Sequence, residues 1–146
     1  CHKIHMDKID LDKFPEVHIS IIREMSQVLQ WWTKTRLRHT STFGLRIYRR
    51  GSMLINHIDR QDTHIASAVL QVGQSIDDDG GWPLEVVHPH FPGRKEVYLQ
   101  AGEMVLYEGA RLHHGRPMRL KGNEFGEWAA SRVSRASGRV VCGVVR

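Results

Sequence analysis

Two stretches of this 146-residue chain carry side chains that could share a metal ion: NHID at residues 56–59 and HHG at residues 113–115. The first closes a run, LRIYRRGSMLINHID, that has the texture of a strand. Successive side chains of a strand point to opposite faces, so His57 and Asp59 are expected to project together while Ile58 points away. An ion that must take up two further molecules side by side needs open coordination positions, and two histidines with one carboxylate on a single face of the ion leave them open. His57 and Asp59 supply two of the three donors. His113 and His114 are candidates for the third, brought from far along the chain by the strand-like run EMVLYEG. A lone HxD is more often a cap or turn pair, so the weight of the reading lies in the combination. A rival pair, His88 and His90, is interrupted by Pro89 and followed by Phe91-Pro92-Gly93, which makes it a loop. His39 and His64 are expected in ordinary surface or core roles.

The elements that would position these donors are legible in outline. In PEVHISIIREMSQVLQWWTK, apolar residues at Val17, Ile21, Met25, Val28, Leu29 and Trp32 recur at three- and four-residue steps behind Pro15, which predicts one amphipathic helix. Trp32 then packs in the core rather than serving as a ligand platform with Trp31. The following runs, TFGLRIYRR, MLINHI, THIASAVLQV, KEVYLQ and EMVLYEG, are short, β-branched and aromatic, with Gly, Asp, Asn or Pro clusters such as DDDGGWP between them. No helical pattern intervenes between Phe43 and Tyr107, so the strands must be mainly antiparallel. The expected fold is mainly β, a sandwich or barrel of jelly-roll type buttressed by the first helix.

Length and 40% apolar content suit a single domain over residues 1–146. The chain opens on Cys1 with no leader-like segment, and reads as an excised domain. Cys1 and Cys142 have no CxxC spacing, so neither a disulfide framework nor a zinc–thiolate site is supported. No apolar run reaches the length of a membrane span. The net charge of +5 is concentrated at one end, where eight basic residues from Arg111 onward face only Glu124 and Glu127. The first 110 residues balance, 13 basic against 14 acidic, so the charge reads as a basic tail and does not argue for nucleic-acid binding. The compartment is not legible.

With these residues in view, YRRGSMLINHID at residues 48–59 resembles the segment of the prolyl 4-hydroxylase group of Fe(II)- and 2-oxoglutarate-dependent dioxygenases in which a tyrosine and a glycine precede the HxD pair. The order downstream is similar too: THIASAVLQV resembles the next strand, DDDGGWPLEV the acidic loop, GEMVLYEG the strand leading to the distal histidine, and HHGRP its surroundings. The resemblance covers residues 43–125 and implies a double-stranded β-helix, or cupin-like, fold. It implies Fe(II) held by His57, Asp59 and one of His113 or His114, with His114 favoured because HGRP carries a single histidine in the relatives it most resembles. It further implies 2-oxoglutarate as cosubstrate with O2, ascorbate as a further cofactor, and hydroxylation of a protein or peptide substrate at proline. The far carboxylate of 2-oxoglutarate would need a basic partner. Tyr48 is an additional hydrogen-bonding group there. No protein side chain is assigned a direct catalytic role.

The chain also departs from that pattern. The basic anchor expected nine or ten residues after His114 falls on Asn123 or Glu124, which leaves Lys121 as the nearest cation. A tyrosine late in the second core strand is replaced by Gln71. Residues 126–146, GEWAASRVSRASGRVVCGVVR, read as an atypical tail. Two other readings stand beside the dioxygenase: a metal-binding but inactive relative serving as an interaction domain, and an oxygenase of the same fold acting on nucleic acid or a small molecule.

Overall fold

A computed structural model describes the chain at residues 4–77, 81–90, 92–134 and 143–145. Cys1, Cys142 and much of the acidic DDDGG loop lie outside the described residues. The predicted helix is α1 (Pro15–Thr33), with Pro15 in the first turn, where its missing N–H costs no hydrogen bond. Met25 and Leu29 are buried, with Ile21, Val28 and Trp32 packed around them, while Val17 and Trp31 face solvent. Lys34 ends the helix in the left-handed region at φ 54°. No helix among the described residues is long and apolar enough to cross a membrane.

The β elements form two sheets, and every pairing is antiparallel. The larger holds β1 (Met6–Ile9), β2 (Leu37–Arg49), β4 (Ala66–Ile76), β7 (Met104–Tyr107), β9 (Gly122–Ser134) and β10 (Gly143–Val145), in the order β1-β2-β9-β4-β7-β10. The smaller is β3 (Leu54–His57), β8 (His113–Arg116), β5 (Leu84–Val87) and β6 (Arg94–Val97), in the order β3-β8-β5-β6. The mainly β architecture with one helix is therefore as the sequence predicts.

Strand alternation divides the apolar residues between two layers. Val69, Val105 and Tyr107 from the larger sheet meet Leu84 and Val86 from the smaller one, and Leu99 and Leu112 complete that core. The intervening positions Ala66, Ala68, Leu106 and Ala130 face the other way and receive Met25 and Leu29 of α1. Three alanines on that face let the helix lie close to the sheet. A third cluster, Tyr48, Trp82, Leu120 and Phe125, closes one end.

Three stretches differ from the sequence reading. PLEV, taken as part of a loop, supplies β5, and HHGR, not counted among the strand-like runs, is β8. The tail set apart at residue 126 is, to Ser134, the continuation of β9, hydrogen-bonded between β2 and β4 in the middle of the larger sheet. Its Ser, Ala and Gly content reflects its two faces, since Ala130 lies under the helix while Ala129 and Ser131 line a cavity. Leu29 is wholly buried between helix and sheet. Leu29→Ala should therefore lower unfolding free energy by about 2–4 kcal/mol in denaturant titration; a loss below about 0.5 kcal/mol would show that α1 does not brace the sheet.

Candidate metal centre

The donors meet because β3 and β8 pair with His57 directly opposite His114, which places the ring centroids 4.5 Å apart. Strand β3 ends at His57, so Asp59 is not carried to the site by strand alternation alone. Its backbone N–H donates to the Gly109 carbonyl at 2.9 Å, which turns the chain after the strand and returns the carboxylate to the histidines. Gly109 is required at that crossing, because a Cβ there would collide with Asp59 Oδ2 and with Ser67 Oγ. Ligand atoms of His57, Asp59 and His114 all lie within 4.8 Å of one another. His113, the other candidate for the distal donor, is exposed and points away, whereas His114 is 3% exposed.

The hydrogen bonds fix how each ring faces the centre. His57 Nδ1 and His114 Nδ1 each lie 2.9 Å from a backbone carbonyl, of Ile55 and Leu112 respectively. A carbonyl only accepts, so each Nδ1 carries the hydrogen and the neutral ring presents the Nε2 lone pair. Those Nε2 atoms stand 3.5 Å from Asp59 Oδ1 and from Oδ2. Two donors about 2.1 Å from one ion stand about 3–3.5 Å apart at angles of about 90–110°, so the two imidazole–carboxylate spacings fit a divalent ion. Electrostatics agree. The hydrogen bond that the protonated ring donates to Asp59 holds the His57 pKa above the ordinary histidine value, against desolvation. Burial pulls His114 below it. Burial pushes Asp59 up, but the hydrogen bond from His57 and the charges of His114 and His64 outweigh it and hold the carboxyl below its usual range.

The three donors open on a cavity of about 130 Å³ between the sheets, lined also by Phe43, Arg46, His64, Tyr107 and Glu127. Arg46 and Phe43 share this face although they are three apart, because a register shift between them interrupts the alternation of β2. The other sequence-predicted residues lie elsewhere. Tyr48 is buried in the end cluster against Trp82 and Phe125, and its hydroxyl is pushed up to about 12 by burial and by the charge of Glu127. Lys121 is exposed and absent from the lining; its carbonyl accepts from the Asp77 N–H on the outside of the molecule. The cation that faces the cavity is Arg46. His88 and His90 are in an outer loop, as expected. His64, expected in an ordinary role, lines the cavity and stacks on Phe43 at 5.7 Å. Arg46 was discoverable from sequence as the residue two before Tyr48, on one strand face with it, and Tyr107 as a strand residue following Val105 at the same parity.

No protein-family model matches the chain, and no curated protein matches it by sequence. Solved structures do. An oxidoreductase of the 2OG-Fe(II) oxygenase family from Burkholderia pseudomallei matches with TM-score 0.58 at 20% identity, over 83% of this chain and 58% of that one. A prolyl-4-hydroxylase from Pseudomonas putida matches with TM-score 0.56 at 18% identity, over 90% and 72%. A prolyl hydroxylase from Trichoplax adhaerens, solved with a peptide fragment of the hypoxia inducible factor oxygen degradation domain, matches with TM-score 0.57 at 11% identity, over 91% and 64%. In fold, the chain thus resembles the prolyl hydroxylase-like 2OG-Fe(II) oxygenases, and it spans 58% of the length of the first of these structures.

Gly109→Ala should lower affinity for Fe(II) or Mn(II) by about 10- to 100-fold, the usual effect of disturbing a residue that orients a ligand. Unchanged affinity in that variant would show that the close crossing does not position Asp59. A protonated imidazole cannot bind a metal, and His57 holds its proton to above the ordinary histidine pH. Metal affinity should then fall about tenfold per pH unit below that raised value, with one proton released per ion bound. A flat profile in Mn(II) titrations between pH 8 and pH 5 would place His57 outside the donor set.

Proposed function

We propose that the chain is an Fe(II)- and 2-oxoglutarate-dependent dioxygenase on a double-stranded β-helix frame, with His57, Asp59 and His114 as metal ligands and a protein or peptide substrate hydroxylated at proline. The reading is carried by one observation: two imidazole lone pairs and a carboxylate converge from the smaller sheet on a cavity whose larger-sheet wall holds a guanidinium. The shared fold supports the reaction class, and the peptide in the Trichoplax adhaerens structure supports a peptide as substrate. The cofactor set is Fe(II), 2-oxoglutarate and O2, with ascorbate. When bound, the iron couples decarboxylation of 2-oxoglutarate to succinate and CO2 with insertion of the second oxygen atom of O2 into a substrate C–H bond.

The residues of the chain divide the remaining work. The Ile55 and Leu112 carbonyls hold the two rings with Nε2 aimed inward. Phe43, Val69, Leu84 and Tyr107 line the cavity with apolar surface that excludes water. Arg46, on the facing sheet, is the anchor for the far carboxylate in place of Lys121, through a charge-assisted hydrogen bond. Tyr48 keeps its proton at neutral pH, with a pKa of about 12, and from outside the lining its hydroxyl oxygen accepts from Arg46. His57, 42% exposed at its side chain, marks the side from which a polypeptide would approach.

The test is succinate release from labelled 2-oxoglutarate with and without Fe(II). His57→Ala and Asp59→Ala should each abolish iron retention. Arg46→Ala should keep the metal and weaken 2-oxoglutarate about 10- to 100-fold, as expected for a lost charge-assisted bond, whereas Lys121→Ala should change neither. Iron binding without turnover, even uncoupled from substrate, would leave the inactive relative as the correct reading. Peptide arrays run against single-stranded oligonucleotides distinguish the substrate classes.

A further inference from the structure

A bulge in β3 brings His57 to the metal centre. Leu54 pairs with Arg116 and His57 with His114, so three steps along β3 match two along β8, and Ile55 and Asn56 both stand against the single residue Gly115. The extra residue resets the alternation of the strand, which is why Leu54 and His57, three apart, both line the cavity. Within the bulge the Ile55 carbonyl accepts from His57 Nδ1 at 2.9 Å, so the orientation of the donor ring follows the conformation of these two residues.

A bulge also interrupts the ladder that would otherwise fix the strand. β3 begins the order of the smaller sheet and is bonded to β8 alone among the described strands, and Ile55 faces solvent. What fastens the bulge lies on the outer face of the sheet. Glu85, between the core residues Leu84 and Val86, points away from that core and stands opposite Gly115 in the β5–β8 register, yet it is only 7% exposed. Its Oε1 accepts from Asn56 Nδ2, and its Oε2 lies 3.4 Å from Arg94 Nη1 on β6. The Asn56 carboxamide reaches Glu85 across β8 because Gly115 has no side chain; a Cβ there would stand 2.6 Å from Asn56 Oδ1. The tie thus runs over all four strands, behind the facing rings of His57 and His114. It is not the arrangement that packing alone would favour, since Asn56 Oδ1 is buried with no partner among the described residues, and an orphaned acceptor costs stability.

We propose that Asn56 is a positioning residue for the metal centre: its hydrogen bond to Glu85 locks the β3 bulge and so keeps the His57 imidazole in the donor set. Asn56 acts through His57 and touches no ion. The inference rests on the reading of His57, Asp59 and His114 as metal ligands.

The experiment follows Mn(II) in the full chain, with affinity from equilibrium dialysis and coordinated imidazoles counted by electron spin-echo modulation in protein labelled with 15N-histidine. The wild type should show two imidazoles. The double variant Asn56→Leu with Glu85→Met removes both polar partners together, so neither is left buried and unpaired, and its metal-free melting should stay close to that of the wild type. It should nonetheless bind Mn(II) about 10- to 100-fold more weakly, and through one imidazole. Glu85→Gln keeps an acceptor for Asn56 Nδ2 and should retain both imidazoles, with affinity within about threefold of the wild type. Two imidazoles and an affinity within about threefold of the wild type in the double variant would overturn the proposal. A loss in Glu85→Gln as large as that in the double variant would overturn it too, because the hydrogen bond would then not be the effective contact. Asn56→Ser, too short to reach Glu85, makes the same comparison if the double variant does not fold. Wild-type protein that takes up no Mn(II), or takes it up without two imidazoles, would instead sink the assignment of the three ligands, and this inference with it.

Discussion

The cross-strand pairing of His57 with His114 is the constraint on which the convergence of the three candidate donors depends. Side chains alternate along a strand, so a slip of one residue between β3 and β8 would turn one of the rings out of the cavity and bring its neighbour in. Glycine secures the close approach of these strands. A Cβ on Gly115 would stand 2.6 Å from the Leu54 carbonyl and 2.6 Å from Asn56 Oδ1, so any larger residue beside His114 would push β3 away. Gly109 does the same for Asp59. The three donors are held by backbone contacts from both sides, and their geometry is set before any ion arrives.

Around that centre the interior is layered by charge. The donor set lies on the smaller sheet, and the guanidinium of Arg46 on the larger one, with apolar side chains between. Deeper still, the Arg116–Glu127 pair is sealed by Trp82 and Phe125. Such a pair contributes little net stability compared with apolar residues of the same volume, because desolvation offsets the attraction.

Much of this was legible before any coordinates. Helical periodicity located α1, and short β-branched runs located β2, β3, β4, β6 and β7, because those segments show one apolar face to a core. β5 escaped although it is apolar, because its four residues follow directly on the acidic loop, whereas β8 and β9 escaped because their faces lack that signature. β8 is histidine, glycine and arginine, with His114 on the cavity wall and Arg116 buried beside it, and β9 is rich in small and polar residues because it lies between a helix and a polar pocket. HxD spacing brought His57 and Asp59 to notice, although a backbone bond to Gly109, and not the pleat, positions the carboxylate. Lys121, chosen by its distance along the chain from His114, is exposed and does not line the cavity, whereas Arg46 does. Arg116, two residues from His114, and Arg46, two residues from Tyr48, are the cations that parity turns inward. Nothing in the local sequence shows that Glu127 meets Arg116, since that contact exists only once β8 and β9 have found their places.

The larger sheet is a wall one residue thick, and neighbouring positions on it answer to different masters. Leu106 packs under the helix, while Tyr107, the next residue, lines the cavity; Ala130 and Ser131 divide in the same way. Close-packed interiors pass displacement on rather than absorbing it. A substitution on the hidden side of α1, far from any reactive atom, therefore bears on the shape of the chamber through a single peptide unit. The packing of the helix and the shape of the cavity are thereby tied together across one partition.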